Sequence, residues 1–559
     1  MATEFSVREI PFSRSGAWFG LSPVVGLARY AQDVHVVSHR NGMHAVLSLV
    51  PSRPAAIVAD PAVLTWRSGG AQIQAVFSAP DTLRISGNGL GMRIAAAERT
   101  LTPFTGTYFF AEPAGGAVFT SYETGHRFRV TVLSGQSKDT GEQELATADR
   151  AVVLGEEPWE VVIEEFTTAR SPFRSDTEFA DVVSAVREEF GRYVEAVAPS
   201  RAPAAELACY VIWSATVDPA GFVTRPAVLM SKHWMDKVWS WDHCFNALAL
   251  APGAPELAWH QFQVVFDHQD AQGALPDSIT HSEVLRNFVK PPIHGWTIGR
   301  LRERLPGGLP DPELAYHQLS AWTSFWLDHR RAPGRPLPYY EHGNDSGWDN
   351  STVFREERLV ESADLAAFLV LQMKELAVLG AEIGDGTPWG ERADEMLSAL
   401  LRELWDGTRF VSRGVASGEL RATASLLDLM PVVLGEHLPR EIFDRLCDGV
   451  AEHLTDVGPA TELTGSPYYE ADGYWRGPVW APATVLIEDG LRRGGAVELA
   501  DEVSARFRAT CEKSGFAENF DALTGQGLRD RAYTWTAAAY LLLSGGDTAA
   551  AAGTPAPTS

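Results

Sequence analysis

Apolar positions recur along this chain at two different periods, and the period changes near residue 175. As far as about residue 165 the period is two. Phe128, Val130 and Val132 alternate with Arg127, Arg129 and Thr131, and Ala71 to Phe77 and Thr82 to Ser86 read the same way on either side of Pro80-Asp81. Successive side chains on a strand point to opposite faces, so this pattern predicts half-buried strands. Gly87-Asn88-Gly89 and Glu112-Pro113-Ala114-Gly115-Gly116 supply turns between them. Many short strands at this spacing predict a β-sandwich over residues 1–170. Ser175-Asp176-Thr177-Glu178 then has the spacing of a helix capping box. Phe179, Val182, Val183, Val186, Phe190 and Val194 follow at three- and four-residue steps, which predicts an amphipathic helix to about Val197. Pro199 and Pro203 end it, so residues 171–200 read as a helical linker.

Helical spacing dominates from 201 to 545. Helices are predicted over roughly 204–216, 241–250, 256–270, 311–328, 361–384, 388–404, 421–434, 438–453, 475–490, 495–514 and 530–543. The connections around 272–310 and 331–360 are long, and long ordered loops on a regular scaffold are where sites are built. Paired helices in this number predict a helical toroid or a solenoid, and no internal repeat of the solenoid kind is present. Residues 546–559, rich in Ala, Gly, Pro and Thr, are predicted to be a disordered tail.

Bulk properties narrow the function classes. At 559 residues the chain exceeds the size of a single core, so two or more domains are expected. The net charge of −25 argues against nucleic-acid and anionic-membrane partners, whose phosphates it would repel. Seventeen tryptophans suit a sugar site, where ring faces stack on aromatic planes, although aromatics are also ordinary core material. Cys209, Cys244, Cys447 and Cys511 are far apart, which gives no support to a zinc site or a redox motif. Neither a metal nor a cofactor is expected. Met1 to Phe5 lacks signal-peptide character and no apolar run reaches 18 residues, so a cytoplasmic protein is the expectation.

Polar-aromatic stretches fall at predicted helix ends. Glu341 to Ser351 carries acids, amides, Trp348 and two glycines with no apolar period, and reads either as a shaped loop in a cleft or as a solvated turn. Trp241-Asp242 can stack on a sugar and accept from its hydroxyls, or serve as an acidic cap beside core aromatics. Gln272 to Ser278 reads either as the entry of a site loop or as a plain turn, and Tyr474 to Trp480 places Arg476 among tryptophans, as a stacked bidentate donor or as the partner of a nearby carboxylate. Glu518-Asn519 lies between two helices. Gly-x-Ser-x-Gly, Walker A and dinucleotide-binding glycine patterns are absent. Carboxylates, amides and tryptophans at helix–loop junctions are the inventory for cleaving a glycosidic bond, in which one carboxyl group protonates the leaving oxygen and a second activates water or attacks carbon.

Ser346 to Ser351, Trp241-Asp242, Tyr474 to Trp480, and Glu518-Asn519-Phe520 followed by Leu523-Thr524-Gly525 resemble glycoside hydrolase family 63, in particular its bacterial branch of glucosylglycerate and mannosylglycerate hydrolases and α-glucosidases. The resemblance covers roughly 200–545 and implies an (α/α)6 barrel after the β-sandwich. It also implies inverting hydrolysis of an α-glycoside; a small α-glucoside or α-mannoside is expected, and the long loops, by covering the pocket, suit exo-cleavage. Asp349 is then the general acid and Glu518 the general base. Trp241 and Asp242 match the subsite of the cleaved sugar, and Trp475, Arg476 and Trp480 match its wall, with Tyr474, Trp348, Asn350 and Asp345 in the same pocket. Asp345 is the rival acid, and its charge, with burial against Trp348, is expected to raise the pKa of Asp349. A glycerate carboxylate would need a cation, for which Arg286, Lys290 and His294 are candidates in the 272–310 loop. An inverting phosphorylase, a trehalase- or glucoamylase-type hydrolase and an inactive carbohydrate-binding barrel are the rival readings.

Overall fold

Alternating burial makes the N-terminal third a pair of sheets. The computed structural model describes residues 3–102, 104–113, 115–141 and 146–545. The expected disordered tail lies outside the described residues. Two units separate by their contacts. One is Met1–Ala196 with Cys209–Lys237 and Thr280–Glu283, and the other is Val197–Ala208, Val238–Ile279 and Val284–Ser559. The first unit therefore takes in stretches that the sequence pattern assigns to the helical region.

In the first unit a six-stranded sheet runs Phe19–Gly26, Arg29–Ser38, His44–Pro51, Met92–Ala96, Ala151–Leu154, Ser137–Thr140. An eight-stranded sheet runs Thr107–Ala111, Ala117–Ser121, Arg127–Ser134, Trp159–Phe166, Thr82–Asn88, Ala71–Ala79, Leu64–Ser68, Ala56–Ala59. Neighbouring strands pair antiparallel. Phe19 of the first sheet meets Phe77 and Phe128 of the second, with ring centroids 5.1 and 6.0 Å apart. Arg129, on the polar positions of its strand, is nevertheless buried, held by Glu112 at 2.7 Å and Glu164 at 3.3 Å. A buried guanidinium is tolerated only when paired in this way. The helix Phe179–Val197 (α1) starts later than the capping box implies, because Ser175 Oγ accepts from Thr177 N at 3.1 Å. Helix Ala205–Ala215 (α2) follows.

The remaining helices are Asp242–Leu250 (α3), Pro255–Phe266 (α4), His294–Arg304 (α5), Pro312–His329 (α6), the single turn Gly343–Ser346 (α7), Ala363–Ile383 (α8), Trp389–Leu404 (α9), Arg440–His453 (α10), Ala481–Arg493 (α11), Val497–Ser514 (α12) and Thr534–Ser544 (α13). A 3-10 segment, Leu426–His437, lies between α9 and α10. α3 packs on α5, α5 on α8, α8 on the 3-10 segment, that segment on α11, α11 on α13, and α13 back on α3. Six segments close a ring. α4 backs α3, α6 and α9 back α8, α10 backs the 3-10 segment, and α12 backs α11 and α13. Ring position is written in composition. α8 and α13 are touched on more than one side and are apolar nearly all round, whereas α9 buries a single stripe of Ala393, Met396, Leu400 and Leu404.

Three local departures from the sequence pattern have physical causes. α5 lies within a stretch read as loop, since Gly295 and Gly299 look like helix breakers. Gly295 is there for packing: a Cβ on it would stand 2.2 Å from Gln372 Cα of α8. α11 starts at Ala481 and not at Trp475, because Tyr474 has φ +64° and Gly477 φ +151°, which no helix accommodates. The helix read over 421–434 is the 3-10 segment, with a kink at Gly435. Among the described residues no helix is long and apolar enough to cross a membrane.

Candidate active site

The N-terminal ends of the ring segments gather the polar-aromatic stretches. Trp241 precedes α3, Trp480 precedes α11, and Tyr533 precedes α13, which carries Trp535. Trp241 and Trp480 both meet Trp535 edge-on, at 5.9 and 5.4 Å. Trp475 stacks on Trp480 at 4.1 Å and leans on Trp348 at 4.7 Å. Trp475 and Trp480 are buried, so these rings are the floor of the site. The Trp480 indole N–H donates to Tyr474 O at 2.8 Å and holds the left-handed turn there.

The Glu341–Ser351 stretch is an ordered loop built by its own polar groups. Asp345 is buried, accepting from Arg330 at 3.0 Å, from Val289 N at 3.0 Å and from Glu341 N at 2.9 Å. Its carboxylate is thus engaged by three donors that hold the loop. Asn350 is likewise an anchor: its amide donates to Gly473 O at 3.0 Å and accepts from Trp475 N at 2.9 Å. Gly347 has φ +75°, and a Cβ on it would lie 2.5 Å from the Trp241 ring. Gly347→Ala should therefore lower stability by about 2 kcal/mol or more and reduce turnover at least about tenfold, as read by thermal unfolding and sugar release.

Asp242, Asp349 and Glu518 remain in the site, with Asp277 and Asp530 beside them. Asp242 is buried, its Oδ2 has no hydrogen-bond partner among the described residues, and burial pushes its pKa up to about 8. Half-buried Asp349 is raised as well, by burial first and then by the nearby Asp277, while Lys290 and His342 act against the rise. The neighbouring carboxylate is thus Asp277, and not Asp345 as expected. Glu518 is pushed up to about 8 by burial and by Asp530, against the pull of Arg529 and of a hydrogen bond donated by Tyr474. Tyr474 lies within the electrostatic reach of Glu518, Asp349 and Asp242 together. Burial that keeps carboxyl groups protonated beside an aromatic floor is an arrangement suited to acid–base work.

Asp349 also opens on a pocket of about 280 Å³ lined by His342, Phe354, Arg355, Arg358 and Arg476, among others. Arg476 pairs with Glu470 at 3.0 Å, and Arg355 lies 4.0 Å over the Tyr468 ring. Arg358 is exposed and makes no ion pair among the described residues.

Residues 235–536 match the Mannosylglycerate hydrolase MGH1-like glycoside hydrolase domain. The chain belongs to glycoside hydrolase family 63. It is similar to a mannosylglycerate hydrolase of Rubrobacter radiotolerans, 24% identical over 57% of this chain and 92% of that protein. It is similar also to the glucosylglycerate hydrolase of Mycolicibacterium hassiacum, 21% identical over 57% of this chain and 94% of that one. Among solved structures, the family 63 mannosylglycerate hydrolase of Thermus thermophilus with glucose superposes at a TM-score of 0.51, with 22% identity over 61% of this chain and 99% of that one. A bacterial glucoamylase with acarbose superposes at 0.62, with 10% identity over 97% of this chain and 96% of that one. Those likenesses make the closed ring an (α/α)6 fold. As a family 63 member the protein is a glycoside hydrolase.

Of the cations considered for a glycerate carboxylate in this family 63 chain, two are engaged elsewhere. Arg286 donates to His268 O at 2.5 Å, and His294 is buried between Ser240 O at 2.9 Å and the Trp322 indole at 3.2 Å. Lys290 lies among the carboxylates, 3.2 Å from Asp277. Tyr533, Trp535, Asp530 and Arg529 belong to the candidate site although no role is expected of them from sequence, and Asp277 comes from the Gln272–Ser278 stretch. Arg529-Asp530-Arg531-Ala532-Tyr533-Thr534-Trp535 carries the same polar-aromatic signature as the other stretches, and that signal was available. Arg529 has φ +60° and lies 4.9 Å over the Tyr474 ring, so two left-handed residues face each other at the site. Such strain, about 1–3 kcal/mol per residue, persists where the surroundings enforce it. Among the described residues no cluster of His, Cys, Asp and Glu is arranged to hold a metal ion.

Proposed function

We propose that this protein is an inverting, exo-acting α-glycosidase that releases a single sugar from a small α-mannoside or α-glucoside with an acidic aglycone of the glycerate type. Asp349 protonates the leaving oxygen and Glu518 takes the proton of the attacking water. The observation that carries this reading is the convergence of Asp242, Asp349 and Glu518 on Tyr474 above the tryptophan floor. Asp242 and Trp241 take the hydroxyls and face of the cleaved sugar. Asp349 sits where that sugar site meets the arginine-lined pocket, so its proton is aimed toward the aglycone. The named activities of the relatives support glycerate as that aglycone. In the first unit, the facing sheets support the β-sandwich reading.

One observation favours a second reading with the roles exchanged: Glu518 holds its proton up to about pH 8, as a general acid would. Its place away from the arginine pocket favours the first reading, and the paired substrates described in the Discussion decide. A panel of mannosyl- and glucosylglycerate, methyl α-glycosides and trehalose, followed by NMR of the first-formed anomer, tests the whole assignment. β-Anomer release from a glycerate glycoside without phosphate is expected. The α-anomer, or a requirement for phosphate, would overturn the reading. Arg358→Ala should raise KM for glycerate glycosides about tenfold to a hundredfold, the range for a lost charge-assisted hydrogen bond, and leave methyl glycosides unchanged.

A further inference from the structure

Three consecutive residues of one loop fasten the loop that carries Asp349. The Phe288 ring stacks on His342 at 5.1 Å. Val289 N donates to Asp345 Oδ1 at 3.0 Å, and Lys290 Nζ donates to Asn344 O at 2.8 Å. The same ammonium lies 3.2 Å from Asp277 Oδ1, and both side chains are almost fully buried. A buried amine is costly unless carboxylates surround it. Burial works against the charge on Lys290, but Asp349, Asp277 and Asp242 outweigh it and lift the amine above the usual lysine range.

We propose that Lys290 and Asp277 form a positioning pair for the proton donor: Lys290 ties down the loop carrying Asp349 and presents a positive charge to it, while Asp277 offsets that charge. The proposal rests on the assignment of Asp349 as general acid. The two partners push Asp349 in opposite directions. Lys290 favours its ionised form and Asp277 its protonated form. The groups that face Asp349 are Lys290, Asp277, His342, Asp242 and Tyr474, and those that face Lys290 are Asp349, Asp277 and Asp242. On top of burial, which raises Asp349 most, the balance between lysine and aspartate tunes the pH above which the donor has lost its proton. Neither residue needs to touch the substrate for this.

The test compares pH profiles of kcat/KM for the intact protein and for Lys290→Met, Lys290→Arg and Asp277→Asn, with mannosylglycerate and glucosylglycerate as substrates. In Lys290→Met the alkaline limb should move up by about one pH unit, because the cation that favours ionised Asp349 is gone. In Asp277→Asn it should move down by about half a unit or more, because a repelling carboxylate is removed while Lys290 stays. Lys290→Arg should keep the original limb, since the charge is retained. A structural role alone would lower activity in all three variants without moving the limb in opposite directions. Limbs that stay in place, or that move the same way in Lys290→Met and Asp277→Asn, overturn the proposal. Should Lys290→Met fail to fold, the absence of a downward shift in Asp277→Asn overturns it alone. A failure of the underlying reading is recognisable separately, as full activity in Asp349→Asn.

Discussion

Asp349→Asn and Glu518→Gln should each lower kcat on a glycerate glycoside by about a thousandfold or more with the fold intact, because each removes a group proposed to move a proton in the transition state. The roles separate with α-glycosyl fluorides, whose leaving group needs no proton. Asp349→Asn should recover most of its activity on the fluoride of the preferred sugar. Glu518→Gln should stay inactive on it, since the attacking water still requires a base. Recovery in Glu518→Gln and not in Asp349→Asn would exchange the two assignments. Circular dichroism and thermal unfolding of both variants check that the fold survives.

Glu518 leads to the second large effect. Its carboxyl is held protonated up to about pH 8, mainly by burial. A general base must be ionised, so on an α-glycosyl fluoride, where no proton from Asp349 is needed, kcat/KM should climb roughly tenfold per pH unit from pH 6 and level off near 8. A flat profile between pH 6 and 8 would contradict the role. Stability carries the opposite sign. A carboxyl whose pKa is higher in the folded than in the unfolded chain favours folding while protonated. That advantage is complete below about pH 4.5, the ordinary glutamate range, and is lost as pH rises through about 8. Glu518→Gln has no proton to lose. It should therefore be more stable than the parent at pH 8, by on the order of 3 kcal/mol, and nearly equal to it at pH 4.5. Denaturant melts at the two pH values measure the difference. The proposed base is thus expected to be an unstable element of the fold, placed for chemistry.

Much of the architecture was legible in the chain. The change of period near residue 175 separated strands from helices, because side chains alternate on a strand and recur every three to four residues on a helix. Trp241-Asp242, Trp348-Asp349, Tyr474 to Trp480 and Glu518 could be picked out by their composition at helix–loop junctions. The helix α5 could not, since Gly295 and Gly299 signal a break to anyone reading along the chain and a close crossing only to the helix that packs against them.

Local sequence thus determined most of the segments that became strands or helices and marked most of the short polar-aromatic stretches that meet in the candidate site. Tertiary structure alone decided what each polar side chain does. Asp345 and Asp349 stand four positions apart in one loop with the same functional group. Arg330 and two backbone N–H groups claim the first, and burial beside Asp277 and Lys290 leaves the second able to hold a proton. The same holds for the loop Glu341–Ser351 as a whole. Its residues favour turns in any context, and it becomes a shaped wall because Trp241 presses on Gly347 and the Phe288–Lys290 segment fastens it from the other side. The physical reason is that proton affinity depends on desolvation and on charges brought close by distant parts of the chain, and neither quantity is a property of the residue's neighbours in sequence.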